Sequence, residues 1–333
     1  MELITIDNTV ALPIYKQIIK SVHEGIQNGS LKHGDLLPSV NQIAAKFSLA
    51  RGSVFTAYNE LRASGIIDSI PGKGYFVAST QVKQVQNIFL LFSTFTPYKE
   101  VLYNAFLNKL DGTCNVDIYF HHHNIKIFDT IIREQASYYN TFVVMPEVHE
   151  KTAEILSQLD PKRTYLLDVG LKEYGKQFPG ICQNFEKDIF SICTENIELL
   201  KKYKRLVLVF PPGTKSNGIV TGFKKFTRKN DIDAAVVDSV KQCEAKKGDC
   251  YVVIDDNDLV HIIKKSNSNK LKLGQDIGVI SYNETELKSI IAEGITTITT
   301  DFEHMGSRMA EMILNNETVM EENPFLIIKR KSV

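Results

Sequence analysis

Apolar residues recur at three- and four-residue spacing from Pro13 to Gln27, so that Ile14, Ile18, Ile19, Val22 and Ile26 share one face. That spacing predicts an amphipathic helix, started at Pro13 and closed by Asn28-Gly29. Beyond a loop from Leu31 to Pro38, Ser39-Val40-Asn41-Gln42 has the form of a capping box, in which the Ser hydroxyl and the Gln side chain satisfy each other's backbone donors. It opens a short second helix burying Ile43, Ala44 and Phe47, and Ser48-Leu49-Ala50 makes the turn. A third helix is expected from about Arg51 to Ser64, with Val54, Ala57, Tyr58 and Leu61 on its core stripe and Gly65 as its C-cap. Two short β-prone runs, 66–70 and 75–77, joined through Pro71-Gly72-Lys73-Gly74, predict a hairpin.

Residues 79–86 are polar and carry no aromatic, which marks a linker. From Asn87 onward, apolar runs alternate with amphipathic helical stretches: 88–92, 116–120, 141–145, 164–168, 206–210, 234–237, 251–255 and 277–281. Nearly continuous apolar runs suit parallel strands buried on both faces, and the helices between them are the crossovers such sheets require. The expected fold class is α/β: an N-terminal winged helix-turn-helix domain over 1–78, the linker, and a doubly wound α/β domain of two lobes over 87–333. In such sheets ligands bind beyond the carboxyl ends of the strands.

Composition narrows this picture without redirecting it. At 333 residues the chain exceeds one ordinary core, so two or three packed units are expected. The 39 Lys plus Arg balance the 39 Asp plus Glu, and the basic residues of the first eighty positions barely outnumber the acids there. Any contact with nucleic acid therefore rests on placed side chains and not on a basic block. The five cysteines (Cys114, Cys182, Cys193, Cys243 and Cys250) are widely spaced with no Cys-x-x-Cys pair, which fits reduced thiols and neither a disulfide framework nor a zinc site. No basic and apolar leader opens MELITIDNTV, and no apolar run reaches about 18 residues. The expectation is a cytoplasmic protein without a membrane span.

The first third resembles the GntR family of bacterial regulators over residues 10–78. The resemblance is carried by Pro13-Ile14-Tyr15-Lys16-Gln17-Ile18, Gly34-Asp35-Leu36-Leu37-Pro38-Ser39, Arg51-Gly52-Ser53-Val54-Phe55-Thr56-Ala57-Tyr58, Gly65-Ile66-Ile67 and the Gly72, Gly74, Phe76, Val77 set. It implies that the third helix enters a major groove and that the hairpin wing reaches a minor groove. Carried over residue by residue, it makes Ser39, Arg51, Ser53, Phe55 and Lys73 the candidate DNA contacts, with Arg51 the foremost because a guanidinium reads guanine bidentately. Val40-Asn41, Ala50 and Phe55 depart from the family pattern, which often has Glu-Arg, Ser or Thr, and Arg at these places, so the operator cannot be inferred from relatives.

Residues 87–333 are similar in element order to the effector domain of the LacI family and to periplasmic sugar-binding proteins. The motifs are Phe142-Val143-Val144-Met145-Pro146, Gly222-Phe223, Asp276 to Glu284, Ile295 to Ile298, Met305-Gly306 and the closing Pro324 to Lys331. A GntR head on this body resembles the arabinose-repressor type of regulator. Polar and aromatic residues just beyond the strands supply candidates for an effector site: Phe95, Thr96, Tyr98, Asp168, Lys215, Asn217, Asp255, Asn283 and Glu284. Of these, Asp168, Asp255 and Asn283 match positions that bind ligand in the family. Asp and Asn also favour strand ends and turns for structural reasons, and that alternative stays open for each. Ile219 stands near a place where relatives often carry arginine, which favours a neutral sugar such as arabinose or fucose over a charged effector.

His121-His122-His123 is set aside as a metal site because neighbours on a strand point to opposite faces. Gly213-Thr214-Lys215-Ser216 lacks the glycines of a phosphate loop, and no catalytic constellation or cofactor fingerprint stands out. The resulting expectation is a homodimeric repressor, not an enzyme and without a cofactor, that binds a palindromic DNA operator and is controlled by a small sugar. The alternative is a sugar-binding protein or sugar-acting enzyme whose N-terminal module is an adaptor that does not bind DNA.

Overall fold

The computed structural model describes residues 3–7, 10, 12–80, 86–112, 114–213 and 217–333. The chain divides into two compact units, Met1–Ile88 with Thr130–Asn140, and Phe89–Asp129 with Thr141–Val333. Most of the segment read as a linker, 81–85, lies outside the described residues.

In the N-terminal unit the expected elements form as α1 (Ile14–Gln27), α2 (Val40–Phe47), α3 (Arg51–Ala63), β1 (Ile67–Ile70) and β2 (Gly74–Val77). The capping box is closed in both directions: Ser39 Oγ accepts from Gln42 N at 3.3 Å, and Gln42 Oε1 accepts from Ser39 N at 2.7 Å. Ile18, Val22, Ile43, Val54, Ala57, Tyr58, Leu61 and Val77 build one buried core. Tyr58 ties that core to the wing, its ring edge-on to Tyr75 at 4.7 Å and its hydroxyl donating to Pro38 O at 2.6 Å. Residues read as a loop also add to the wing: Leu37 N donates to Tyr75 O and Val77 N to Asp35 O, with Leu36 bridged to Phe76. Gly72 and Gly74, at φ 80° and 97°, allow the tight turn that carries Lys73.

The second body holds two six-stranded sheets. The first lobe contains β3 (Gln86–Phe92), β4 (Cys114–Phe120), β5 (Thr141–Val144), β6 (Thr164–Asp168) and β7 (Gly180–Cys182), with α4 (Pro97–Leu110), α5 (Ile125–Gln135), α6 (Thr152–Leu156) and α7 (Leu171–Tyr174). The chain then crosses over and builds the second lobe from α8 (Phe185–Glu195), α9 (Ile197–Leu200), β8 (Arg205–Val209), α10 (Asn217–Lys229), β9 (Ala234–Val237), β10 (Asp249–Val253), α11 (Asp256–Ser268), β11 (Gly278–Tyr282), α12 (Glu286–Ile290) and β12 (Thr296–Thr300). It returns as α13 (Phe302–Leu314), which packs on α4, then adds β13 (Met320–Glu322) to the first sheet and β14 (Phe325–Ile328) to the second. The strand orders are β13-β7-β6-β5-β3-β4 and β14-β12-β11-β10-β8-β9. Among the described pairs of these sheets, all are parallel except β12 with β14.

All eight expected strands are present, and β7, β12, β13 and β14 are added to them. Close helix packing explains two glycines of the quoted motifs. A Cβ on Gly306 would lie 2.2 Å from Leu102 O of α4, and one on Gly222 would lie 2.3 Å from Glu186 O of α8.

Candidate functional site

In the N-terminal unit, α3 buries Val54, Ala57, Tyr58 and Leu61 and turns its other face outward. Arg51 and Phe55 are exposed on that face, and Ser53 is half-buried. Lys73 stands exposed at the tip of the wing, and Ser39 is exposed at the start of α2 with its hydroxyl oxygen engaged as the cap. All five are therefore reachable from solvent and carried by a helix-turn-helix and its wing.

In the second body the three crossovers bring the ends of distant strands to one place. Asp168, the last residue of β6, sits at φ 71° and is buried. Its Oδ1 accepts from Gln183 Nε2 at 2.5 Å, and its Oδ2 lies 3.7 Å from the ammonium of Lys99, itself buried and donating to Ser93 Oγ at 2.6 Å. Gln183 Oε1 accepts in turn from Thr300 Oγ1 at 2.5 Å, so the network runs from the first lobe through the first crossover to the end of β12.

Tyr98, near the start of α4, lies against Phe302 with ring centroids 4.9 Å apart. Burial raises its phenol above the ordinary value; the nearby side chains of Thr96 and Asn283 act against this, while the charges of Asp168 and Asp256 add to it. Thr96, Tyr98, Asp168 and Asn283 are thus brought together. Around them, among the described residues, Asn283 Oδ1 and the Tyr282 hydroxyl are buried with no hydrogen-bond partner, as are Asp188 Oδ2 and Asn323 Oδ1 by the crossovers. Burial lifts the Asp188 carboxyl to about 7, with Glu322 adding and the Asn184 backbone and Lys187 opposing. Tyr282 is pushed up strongly by burial and then by the neighbouring charges of Asp188 and Asp168 and by Tyr98. Beside Gln183, a cavity of about 320 Å³ is lined by Val169, Leu171, Phe185, Asn217 and Gly218 among others.

Asp255 is exposed and caps α11, its Oδ1 accepting from Asn257 N at 2.7 Å. Both oxygens of Glu284 are held by Arg330, at 2.9 and 3.0 Å, and Thr297 donates to it as well, which leaves no free carboxylate for a ligand. Phe95 is exposed three residues beyond β3 and meets Tyr103 and Phe120 edge-on. Asn217 lines the cavity, whereas Lys215 lies outside the described residues, as does most of the 213–216 turn.

β4 ends at Phe120, and His122 and His123 take left-handed conformations (φ 49° and 57°), so strand alternation does not apply. His123 Nδ1 lies 3.1 Å and His121 Nδ1 3.9 Å from Oε2 of the buried Glu147. Among the described residues no group of three or more His, Cys, Asp or Glu is arranged to hold a metal ion. No helix of the described residues is long and apolar enough to cross a membrane.

Lys99, Gln183, Asp188, Tyr282, Thr300 and Phe302 escaped the sequence reading. Tyr282 stands inside a quoted motif next to Asn283, which was the available signal. Gln183 follows a strand only three residues long, and Asp188 sits within a helix, so neither follows a recognisable apolar run.

Residues 14–77 match the family described as bacterial regulatory proteins, gntR family. Residues 201–333 match the periplasmic binding protein-like domain. The HTH-type transcriptional repressor YtrA of Bacillus subtilis is 38% identical over 76 residues, 23% of this chain and 58% of that protein. The chain thus spans less than two thirds of that curated relative's length. The lac repressor dimer bound to operator and the anti-inducer ONPF superposes with a TM-score of 0.62 at 18% identity, covering 76% of this chain and 95% of that one. A LacI family transcriptional regulator from Enterococcus faecium with bound ribose gives 0.59 at 15%, covering 74% and 98%.

Proposed function

We propose that this chain, which joins a GntR-type winged helix-turn-helix domain to a periplasmic-binding-protein-like effector domain of the LacI type, is a cytoplasmic DNA-binding transcription repressor. It acts as a homodimer on a two-fold symmetric operator and is controlled by a neutral monosaccharide bound between the lobes.

The observation that carries the effector half is a pair of buried polar atoms that find no partner among the described residues, Asn283 Oδ1 and the Tyr282 hydroxyl. Buried polar groups are almost always paired, so a pair of orphans beside one crevice calls for a ligand rich in hydroxyls. The half-buried Tyr98, backed by Phe302, lies beside these groups, and a pentose or deoxyhexose suits the size of the neighbouring cavity. Asp168 is already bonded to Gln183 and faces Lys99, so its part is to hold the crossover in shape and to set the polarity of the crevice.

Control follows if the sugar binds one lobe arrangement better than another and the head reads DNA in only one of them, because a ligand shifts an equilibrium only by its differential affinity. The test combines two measurements on the full chain. Selection from a random duplex library should enrich a two-fold symmetric sequence, and a thermal-shift screen of arabinose, fucose, xylose and ribose should single out one sugar. That sugar should then release the enriched duplex. Enrichment of no sequence would overturn the DNA half of the reading, and indifference to every neutral sugar would overturn the effector half.

A further inference from the structure

The outward face of α3 carries one large apolar side chain. Val54, Ala57, Tyr58 and Leu61 are at most 1% exposed, whereas Phe55 is 52% exposed. Phe55 therefore contributes little to the core that holds the helix. At 3.6 residues per turn it lies about 40° from Arg51 around the helix axis, on the same face and one turn further on. A helical side chain leans back over the residues three and four before it, which here are Gly52 and Arg51. Gly52 has no side chain and open space around it, so the ring is unshielded on that side and has Arg51 as its neighbour on the other.

Resting on the DNA-binding reading above, we infer that Phe55 reads thymine, packing its ring on the C5-methyl group beside the base contacted by Arg51. Among major-groove base edges the thymine methyl is the apolar group, and an aromatic ring gains by covering it while a polar side chain gains nothing. The ring offers no donor or acceptor to guanine, adenine or cytosine, so its preference among bases comes from the methyl alone. Arg51 and Phe55 together make the recognition face half polar and half apolar, which specifies adjacent guanine and thymine positions in each half-site.

The test uses the full chain and the duplex enriched from a random library. Each thymidine is replaced in turn by deoxyuridine, which keeps the base pair and removes only the methyl, and affinity is read by fluorescence anisotropy. One thymidine per half-site should lose about fourfold, the effect of one buried methyl-sized group. Phe55→Ala should bind the thymidine and deoxyuridine duplexes alike, and Phe55→Leu should retain part of the difference. Because Phe55 lies outside the core, both variants should keep the wild-type melting temperature within a degree or two. If no deoxyuridine duplex weakens wild-type binding, or if Phe55→Ala keeps the full methyl effect, the inference is wrong. Failure to enrich any duplex would instead remove the DNA-binding reading on which it rests.

Discussion

Gln183 joins the two lobes through a single side chain: its amide N–H donates to Asp168 Oδ1 and its carbonyl accepts from Thr300 Oγ1, both at 2.5 Å. Asp168 closes β6 of the first sheet and Thr300 closes β12 of the second. This amide therefore ties together the ends of one strand from each lobe at the first crossover.

Replacing Gln183 with Leu keeps the volume and removes both bonds. Asp168 would retain only Lys99, at 3.7 Å, and Thr300 Oγ1 would lose its acceptor. The expected loss is about 1–3 kcal/mol, read from chemical denaturation. Gln183→Glu should cost more, because it sets a second buried carboxylate against Asp168. Stability equal to wild type in both variants would show that the bridge does not hold the lobes.

The Asp188 carboxyl sits by the crossovers with a folded pKa of about 7, above its ordinary 3.8. The folded state therefore binds this proton more tightly than the unfolded chain, and the stability it contributes is full below about pH 4 and is lost as pH rises through about 7. Asp188→Asn removes the charge that burial penalises. The variant's melting temperature should exceed that of wild type by a margin that grows from pH 5 to pH 8. A margin independent of pH would contradict the assignment.

Arg51 and Lys73 should fail differently. Arg51→Ala should cost about 1–3 kcal/mol per half-site and relax discrimination at one base pair, as loss of a bidentate base contact does. Lys73→Ala should weaken all duplexes alike and shallow the dependence of affinity on salt, as loss of a phosphate contact does. A reversed pattern in gel-shift titrations at several salt concentrations would exchange their roles.

Asp255 and Asn283 separate a helix cap from a ligand contact. Asp255→Ala removes the bond to Asn257 N and should cost about 1 kcal/mol of stability, with Asp255→Asn keeping most of it. Asn283→Ala removes a buried acceptor and also places alanine at φ 60°, where asparagine is tolerated and alanine is strained, so about 1 kcal/mol of stability should be lost, and Asn283→Gly, which keeps that backbone, separates this cost from a fall in sugar affinity of about 1–3 kcal/mol. If instead Asp255→Asn abolishes the sugar-induced thermal shift and Asn283→Ala leaves it intact, the crevice has been assigned to the wrong residues.

The winged head was legible almost in full because its determinants are local. The face of α1, the Ser39–Gln42 box and the stripe of α3 each depend on residues three or four apart, and the wing turn announces itself by Gly72 and Gly74. The apolar runs of the buried parallel strands were legible for the same reason, while β7 and β13, three residues each, are too short to carry a periodicity. What only the tertiary structure decided is which polar groups at the strand ends are already used. Asp168, Asp255, Asn283 and Glu284 are each an acid or amide at or just beyond an apolar run, and no local spacing tells which of them already has a partner. Arg330, 46 residues away, takes up Glu284; Gln183, itself 117 residues from Thr300, takes up Asp168; and the first turn of α11 takes up Asp255. Asn283 keeps a buried acceptor without a partner. The chain passes between the lobes three times, and whether a side chain meets a partner or a cavity depends on how those crossovers align segments more than a hundred residues apart, which no local spacing encodes.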